Sequence, residues 1–404
     1  MQQLLGDLMQ MMGTGMAGGG ARVELARTLA HGVAAAGEPE ANVDPVERIA
    51  LEELVRLAEM HVTELTCLQV SPVEVMAVPA GSWAWHTVED WRFLLEAATE
   101  TAPAGGATPG APGSEALDLG GLLGSGTFPG GAEDEGRDPT GELVARWMTT
   151  MGPMLAAMQL GSAIGHLARA TLGPYELPVP RRAGDRLLIV PANIARFAED
   201  WSLPIDQVRL WVCLREVTTH AVLCRPHVSD RIRELLVQLA EAGAPDTAGM
   251  MQRLEGMDPS DPETLQRLVG DPEALIESTP SPRQARAAEE LAAVTAALLG
   301  FVEHVLDEAS RRLLGGRGAL AEAWRRRQVA REPGDRAAEA LVGFDLGPTQ
   351  LERGVGFVGG VLDRAGEDGL ARLWDRASTL PTPTEIDAPG LWLERISFDG
   401  DQPA

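Results

Sequence analysis

The stretch Leu210-Trp211-Val212-Cys213-Leu214-Arg215-Glu216-Val217-Thr218-Thr219-His220-Ala221-Val222-Leu223 constrains the fold more than any other part of the chain. At helical spacing its apolar residues surround the axis instead of keeping to one stripe. A helix that is apolar all round lies inside a protein. Arg215, Glu216 and His220 then sit among apolar neighbours, where charge must be paired or face a cavity. Glu216 and His220 are four apart and share a face. Two readings stay open: an internal Arg/Glu/His network that fixes helix packing, and the polar floor of a pocket.

Most of the remaining chain also reads as helix. Asp44 can cap a helix that begins at Pro45 and carries Ile49, Leu51, Leu54, Leu57, Ala58 and Val62. Trp83, Trp85 and Trp91 read as core anchors. Residues 141–172 read as one or two helices, with Met148, Met151, Met154 and Met158 as adaptable core. Asp206 is placed to cap the buried helix at about 207–224. Asp261-Pro262-Glu263, Asp271-Pro272-Glu273 and Ser281-Pro282 mark three further helix starts. Arg325-Arg326-Arg327 reads as a solvated helix face. The one strand-like run is Arg186-Leu187-Leu188-Ile189-Val190. The fold class expected is therefore mainly α, with at most a small β element.

Residues 101–140 differ in kind. They hold 11 Gly and 5 Pro, which cannot offset the cost of ordering, so a flexible linker is expected. It divides an N-terminal helical region, 1–100, from a domain at 141–390, with a tail at 391–404.

The net charge is −25 and every basic residue is Arg. Nucleic-acid binding needs basic surface and is excluded as an expectation. Cys67, Cys213 and Cys224 form no CxxC pair, so a cysteine zinc knot is not expected. The first sixteen residues lack a basic n-region and a long apolar core, and no run of about 18 apolar residues occurs. A cytoplasmic protein without a membrane span is expected.

A second mostly apolar helix carries embedded polar groups: Leu298-Leu299-Gly300-Phe301-Val302-Glu303-His304-Val305-Leu306-Asp307. Metal binding needs three or four converging ligands. Glu216, His220 and either Glu303 or His304 would supply them if the two helices met.

From 141 to about 385 the chain resembles the zincin-like, zinc-dependent metalloprotease family of high-GC bacteria. The resemblance is carried by Gly161-Ser162-Ala163-Ile164-Gly165-His166, Leu172-Gly173-Pro174-Tyr175-Glu176-Leu177-Pro178, Val190-Pro191-Ala192-Asn193-Ile194, the helix Leu210 to Leu223 with Pro226-His227-Val228, Gly300 to Val305, Leu341-Val342-Gly343-Phe344 and Leu373-Trp374. It implies a zincin scaffold, with the first 100 residues added as helices. It also implies a His-Glu-x-x-His helix, two His binding zinc and the Glu polarising the attacking water. Carried over by position, the ligand places fall on Arg215 and Thr219, the third on Leu299, and the general base on Glu216. Arg stays protonated and repels a dication, Thr is a poor ligand and Leu is none. The resemblance thus implies a degenerate member with no metal cofactor, holding a peptide or protein partner in a pocket at Arg215, Thr219, His220 and Leu299. The alternative is an active metal-dependent hydrolase whose zinc has moved to Glu216, His220 and either Glu303 or His304. A plain interaction protein is the third reading.

Overall fold

The computed structural model describes residues 19–36, 40–70, 73–100, 139–181, 186–242, 281–315, 318–331 and 333–400. The linker expected at 101–140 and the helix starts at Asp261 and Asp271 lie outside the described residues, apart from Pro139 and Thr140. The N-terminal helices are α1 (Gly19–Ala34), α2 (Pro45–Thr66), α3 (Ala80–Asp90) and α4 (Arg92–Glu100), with β1 (Glu74–Ala77) between α2 and α3. Then come α5 (Pro139–Ala168), β2 (Arg186–Ile189), α6 (Pro191–Asp200), α7 (Ile205–Leu223) and α8 (Pro226–Ala242). The series closes with α9 (Pro282–Leu313), α10 (Gly318–Val329), α11 (Pro333–Val342), α12 (Pro348–Ala371), α13 (Pro383–Ile386) and α14 (Pro389–Gly400). The chain is mainly helical. Among the described residues its one sheet is a parallel pair, β1 with β2, in register from Glu74 opposite Arg186 to Ala77 opposite Ile189.

Local chemistry explains the helix starts. Asp44 is the N-cap of α2, its carboxylate accepting from the Val46 N–H at 2.8 Å, and Pro45 takes the first helical position. Asp44→Ala should lower unfolding free energy by about 1 kcal/mol, read by urea titration; no change would show that the cap is supplied elsewhere. Ser281 opens α9 with a capping box, its hydroxyl accepting from the Gln284 N–H while Gln284 accepts from the Ser281 N–H. α7 starts two residues ahead of its expected position. Pro204 is the cap position, and Asp206 lies in the first turn, where the helix dipole favours a negative charge.

One contiguous core runs from Val23 through the tryptophans Trp83, Trp91, Trp211, Trp374 and Trp392 to Ile396. Trp85 is half-buried. The last helix, α14, packs Trp392 against Phe357, ring centroids 5.4 Å apart. α7 lies at the centre: every residue from Leu210 to Leu223 is buried. α9 and α12 cross where Gly300 meets Gly354, and a methyl group on Gly300 would come within 2.1 Å of the Gly354 carbonyl oxygen. That close crossing sets the depth at which Leu299 and Glu303 sit. Among the described residues no helix is long and apolar enough to cross a membrane.

Candidate functional site

A buried strap, residues 171–180, runs over α7 without regular structure. Buried irregular backbone needs partners for its polar groups, and side chains provide them. Trp83 Nε1 donates to the Gly173 carbonyl at 3.1 Å and Thr171 Oγ1 to the same oxygen at 2.7 Å. Asn193 donates to the carbonyls of Ala168 and Thr171. Arg181 donates to the Pro174 carbonyl and to Asp90. At Gly173 the backbone lies directly on the Glu216 carboxyl; a Cβ there would sit 2.5 Å from its Cδ.

Glu216 is fully buried beneath this strap. Its Oε2 accepts from the Tyr175 N–H at 2.8 Å, and its Oε1 accepts from Arg215 Nη1. Burial pushes the Glu216 carboxyl above the ordinary range, while Arg215 and the Tyr175 amide pull the other way. Arg215 Nη2 also donates to the Tyr175 carbonyl at 3.3 Å, and the guanidinium lies 4.7 Å from the Trp324 ring centroid. The Thr218 and Thr219 hydroxyls bond back to the Leu214 and Arg215 carbonyls, as hydroxyls on buried helices do.

A narrow cavity of about 50 Å³ opens beside this pair, room for a few waters. Arg215, Thr219, Leu299 and Glu303 all line it, with Tyr175, Glu176, Trp324, Gln328 and Arg331 among the other walls. The three positions that the resemblance assigns to zinc ligands are therefore brought to one place. Glu176, also buried, answers the positive side of the cavity. Its Oε1 accepts from Arg331 at 3.0 Å and from Arg327 at 3.3 Å. Burial alone would raise the Glu176 carboxyl; Arg327, Arg331 and Arg215 outweigh it and hold it below the usual range. Arg331 also pairs with Glu339. The basic cluster is split: Arg325 and Arg326 are exposed, whereas Arg327 turns inward, because Glu176 and the Ala170 carbonyl (2.6 Å) give its charge a buried destination.

The alternative metal set does not converge. His304 faces Glu367 on the surface side of α9, 3.2 Å away. His220 points away from the cavity, accepting or donating at Tyr175 Oη (2.8 Å) and at Cys224 Sγ (3.0 Å). Among the described residues no group of three or more His, Cys, Asp or Glu is placed to hold a metal ion. Nor does the donor set at the cavity fit zinc, since Arg215 brings a fixed positive charge to it.

Tyr175, Glu176, Arg331 and Cys224 escaped the reading of the residues one by one. Two signals were available. Tyr175 is the sole tyrosine, and Cys224 follows His220 by four, the spacing that puts two side chains on one helix face.

The chain belongs to the zincin-like metallopeptidase family, whose model matches residues 22–393. A solved structure from Chloroflexus aurantiacus, described as a proposed hydrolase with a novel fold, is similar to it: 21% identical, TM-score 0.60, covering 93% of this chain and 98% of that one. At that identity the likeness is one of fold. A comparison with curated proteins found no match.

Proposed function

We propose that this chain keeps the zincin scaffold without metal hydrolysis and uses the cavity at α7 and α9 to hold a peptide or protein partner. The observation that carries this reading is the Arg215–Glu216 ion pair. In the family mechanism, zinc supplies positive charge beside the general-base carboxylate. Here a guanidinium on the same helix stands at Glu216 and satisfies it, so the carboxyl is engaged as a structural partner. Binding, in contrast, has support in the walls. Leu298, Leu299, Val302, Leu346 and Leu351 give an apolar lining. Two acceptor atoms of lining residues, Glu176 Oε2 and Gln328 Oε1, are buried with no hydrogen-bond partner. Unsatisfied buried acceptors are rare enough to require an explanation; both atoms are closed off from the cavity, so donors from a bound peptide would reach them only after the walls part. The cavity accepts a small group, and the rest of a peptide would lie across its mouth.

The test is metal content by mass spectrometry on tag-free protein purified without chelator, together with cleavage of an unfolded protein substrate. The expected result is far less than one metal per chain and no cleavage that a chelator abolishes. About one zinc per chain, lost on Glu216→Gln or His220→Asn, would overturn the reading in favour of a relocated hydrolase site.

A further inference from the structure

Helices α1 and α3 border an opening that the proposed function does not use. Its volume is about 440 Å³, and it is lined by Thr28 and His31 from α1 and by Ser82, Trp85 and His86 from α3. Residues three and four apart share a helix face, so each helix turns one polar face toward the opening. The opposite face of α3 is buried: Trp83 and Thr87 lie in the core, and Trp83 reaches the strap at Gly173. The start of α3 is held tightly. Glu40 accepts from the Gly81 N–H at 2.7 Å, and a Cβ on Gly81 would come within 2.9 Å of His31 Cδ2. The Trp85 ring is backed by Arg27, which lies 5.1 Å from its centroid and is itself held by Glu89 at 2.5 Å. The volume falls in the range of about 300–1,000 Å³ usual for small-molecule sites. We propose that this opening binds a saccharide, a pyranose ring whose hydroxyls bond to Thr28, His31, Ser82 and His86 and whose C–H face packs on Trp85.

The lining chemistry selects this class. Among the described residues none of the five side chains has a hydrogen-bond partner. Hydroxyls on helices commonly bond back to the preceding turn, as Thr87 does to the Trp83 carbonyl at 2.8 Å. Thr28 and Ser82 do not, and both face the opening. A hydroxyl and a neutral imidazole each donate and accept. Burial lowers the His86 pKa, helped by Arg186, Arg181 and Arg27 and opposed by Asp90, so near pH 7 its ring is such a neutral group. Among the described residues no Asp, Glu or Arg lines the opening, so an ion would meet no counter-charge there. An apolar ligand would strip water from four polar side chains and return no bonds. A polyol returns both donors and acceptors, and the electron-rich face of an indole suits the C–H hydrogens of a pyranose.

The experiment takes the full-length chain, isotope-labelled at histidine Cε1 for NMR. It is titrated separately with the methyl α-pyranosides of glucose, galactose and mannose, with N-acetylglucosamine, and with inorganic phosphate. The chain has seven histidines, and His31→Gln and His86→Gln assign the two signals that matter. At least one sugar should move both signals saturably, with a Kd of about 1–10 mM, the affinity that an ordinary ligand efficiency gives a molecule of this size. The signals of His166, His220, His227 and His304 should stay where they are. Ser82→Ala removes one bond and should weaken binding about fivefold, and Trp85→Ala should weaken it further. Where Trp85→Ala fails to fold, Ser82→Ala decides alone. The proposal is overturned if no sugar moves both signals, if phosphate moves them and the sugars do not, or if the folded Ser82→Ala variant binds as the wild type does.

Discussion

Glu176→Gln should lower the unfolding free energy by about 3–5 kcal/mol, the usual cost of breaking a buried ion pair by removing one partner. The carboxylate has 5% side-chain exposure and answers Arg327 and Arg331, themselves 16% and 8% exposed. Glutamine keeps the shape and one acceptor but removes the carboxylate that Arg327 and Arg331 share, leaving Arg331 with Glu339 alone. The contacts join the 171–180 strap to α10 and to the turn after it, so their loss frees the roof of the cavity. The substitution also has a pH signature. The folded-state pKa of Glu176 is lowered, so the unfolded chain binds more protons as acid is added. Its contribution is fully present above about pH 4.5 and is lost as pH falls through the folded value. The wild type should therefore lose part of its stability on acidification that the Gln variant has already lost at pH 7. Urea titrations at pH 7 and pH 4, read by tryptophan fluorescence, measure both. Arg327 lies 4.8 Å from the Trp324 ring centroid, which gives the probe a local reporter. A loss below about 1 kcal/mol at pH 7, the range of an exposed pair, would mean that water already screens this cluster.

What the sequence discloses follows the range over which each feature is determined. Asp44-Pro45 and Ser281-Pro282 start helices through contacts within four residues, and both starts are where local chemistry puts them. The burial of α7 was legible for a similar reason, since the distribution of apolar residues around one helix is a property of that helix alone. Partners distant in the chain were not legible. β1 pairs with β2 across more than a hundred residues, and Glu74–Ala77 has no alternation strong enough to declare a strand by itself. Arg327 has the same local surroundings as Arg325 and Arg326; Glu176 and the Ala170 carbonyl, 151 and 157 positions away, separate it from them. At the cavity, the resemblance named Arg215, Thr219 and Leu299, and they do share one lining. The strap residues that complete it, Tyr175 and Glu176, were quoted only as a matching segment. No helical or strand period marks a buried irregular run, so nothing local revealed that Tyr175 joins the Glu216 pair on one side to the His220 pair on the other.

Placing the family's ligand types at the three cavity positions should create a metal site. The triple variant Arg215→His, Thr219→His, Leu299→Glu places two imidazoles four apart on α7 and a carboxylate on α9, facing the same cavity. Three such groups with an open fourth position make a catalytic-type zinc site, and Glu216 is retained between the two histidines. Each single change should fail. Arg215→His alone removes the partner of a fully buried carboxyl without supplying three ligands, and it should destabilise by about 3–5 kcal/mol. Only the triple brings in a dication to replace the guanidinium, so zinc should recover stability as well as bind. The readout is two-fold: zinc content rising to about one per chain, and a melting temperature that increases with zinc in the triple variant and not in the wild type. A folded triple variant that binds no zinc would show that the three positions share a cavity without sharing a coordination point, and would remove Arg215 as the explanation for the proposed lack of metal. A triple variant that takes up zinc, beside a wild type that does not, would make the ion pair the reason, because three side chains would separate a binding scaffold from a metal site.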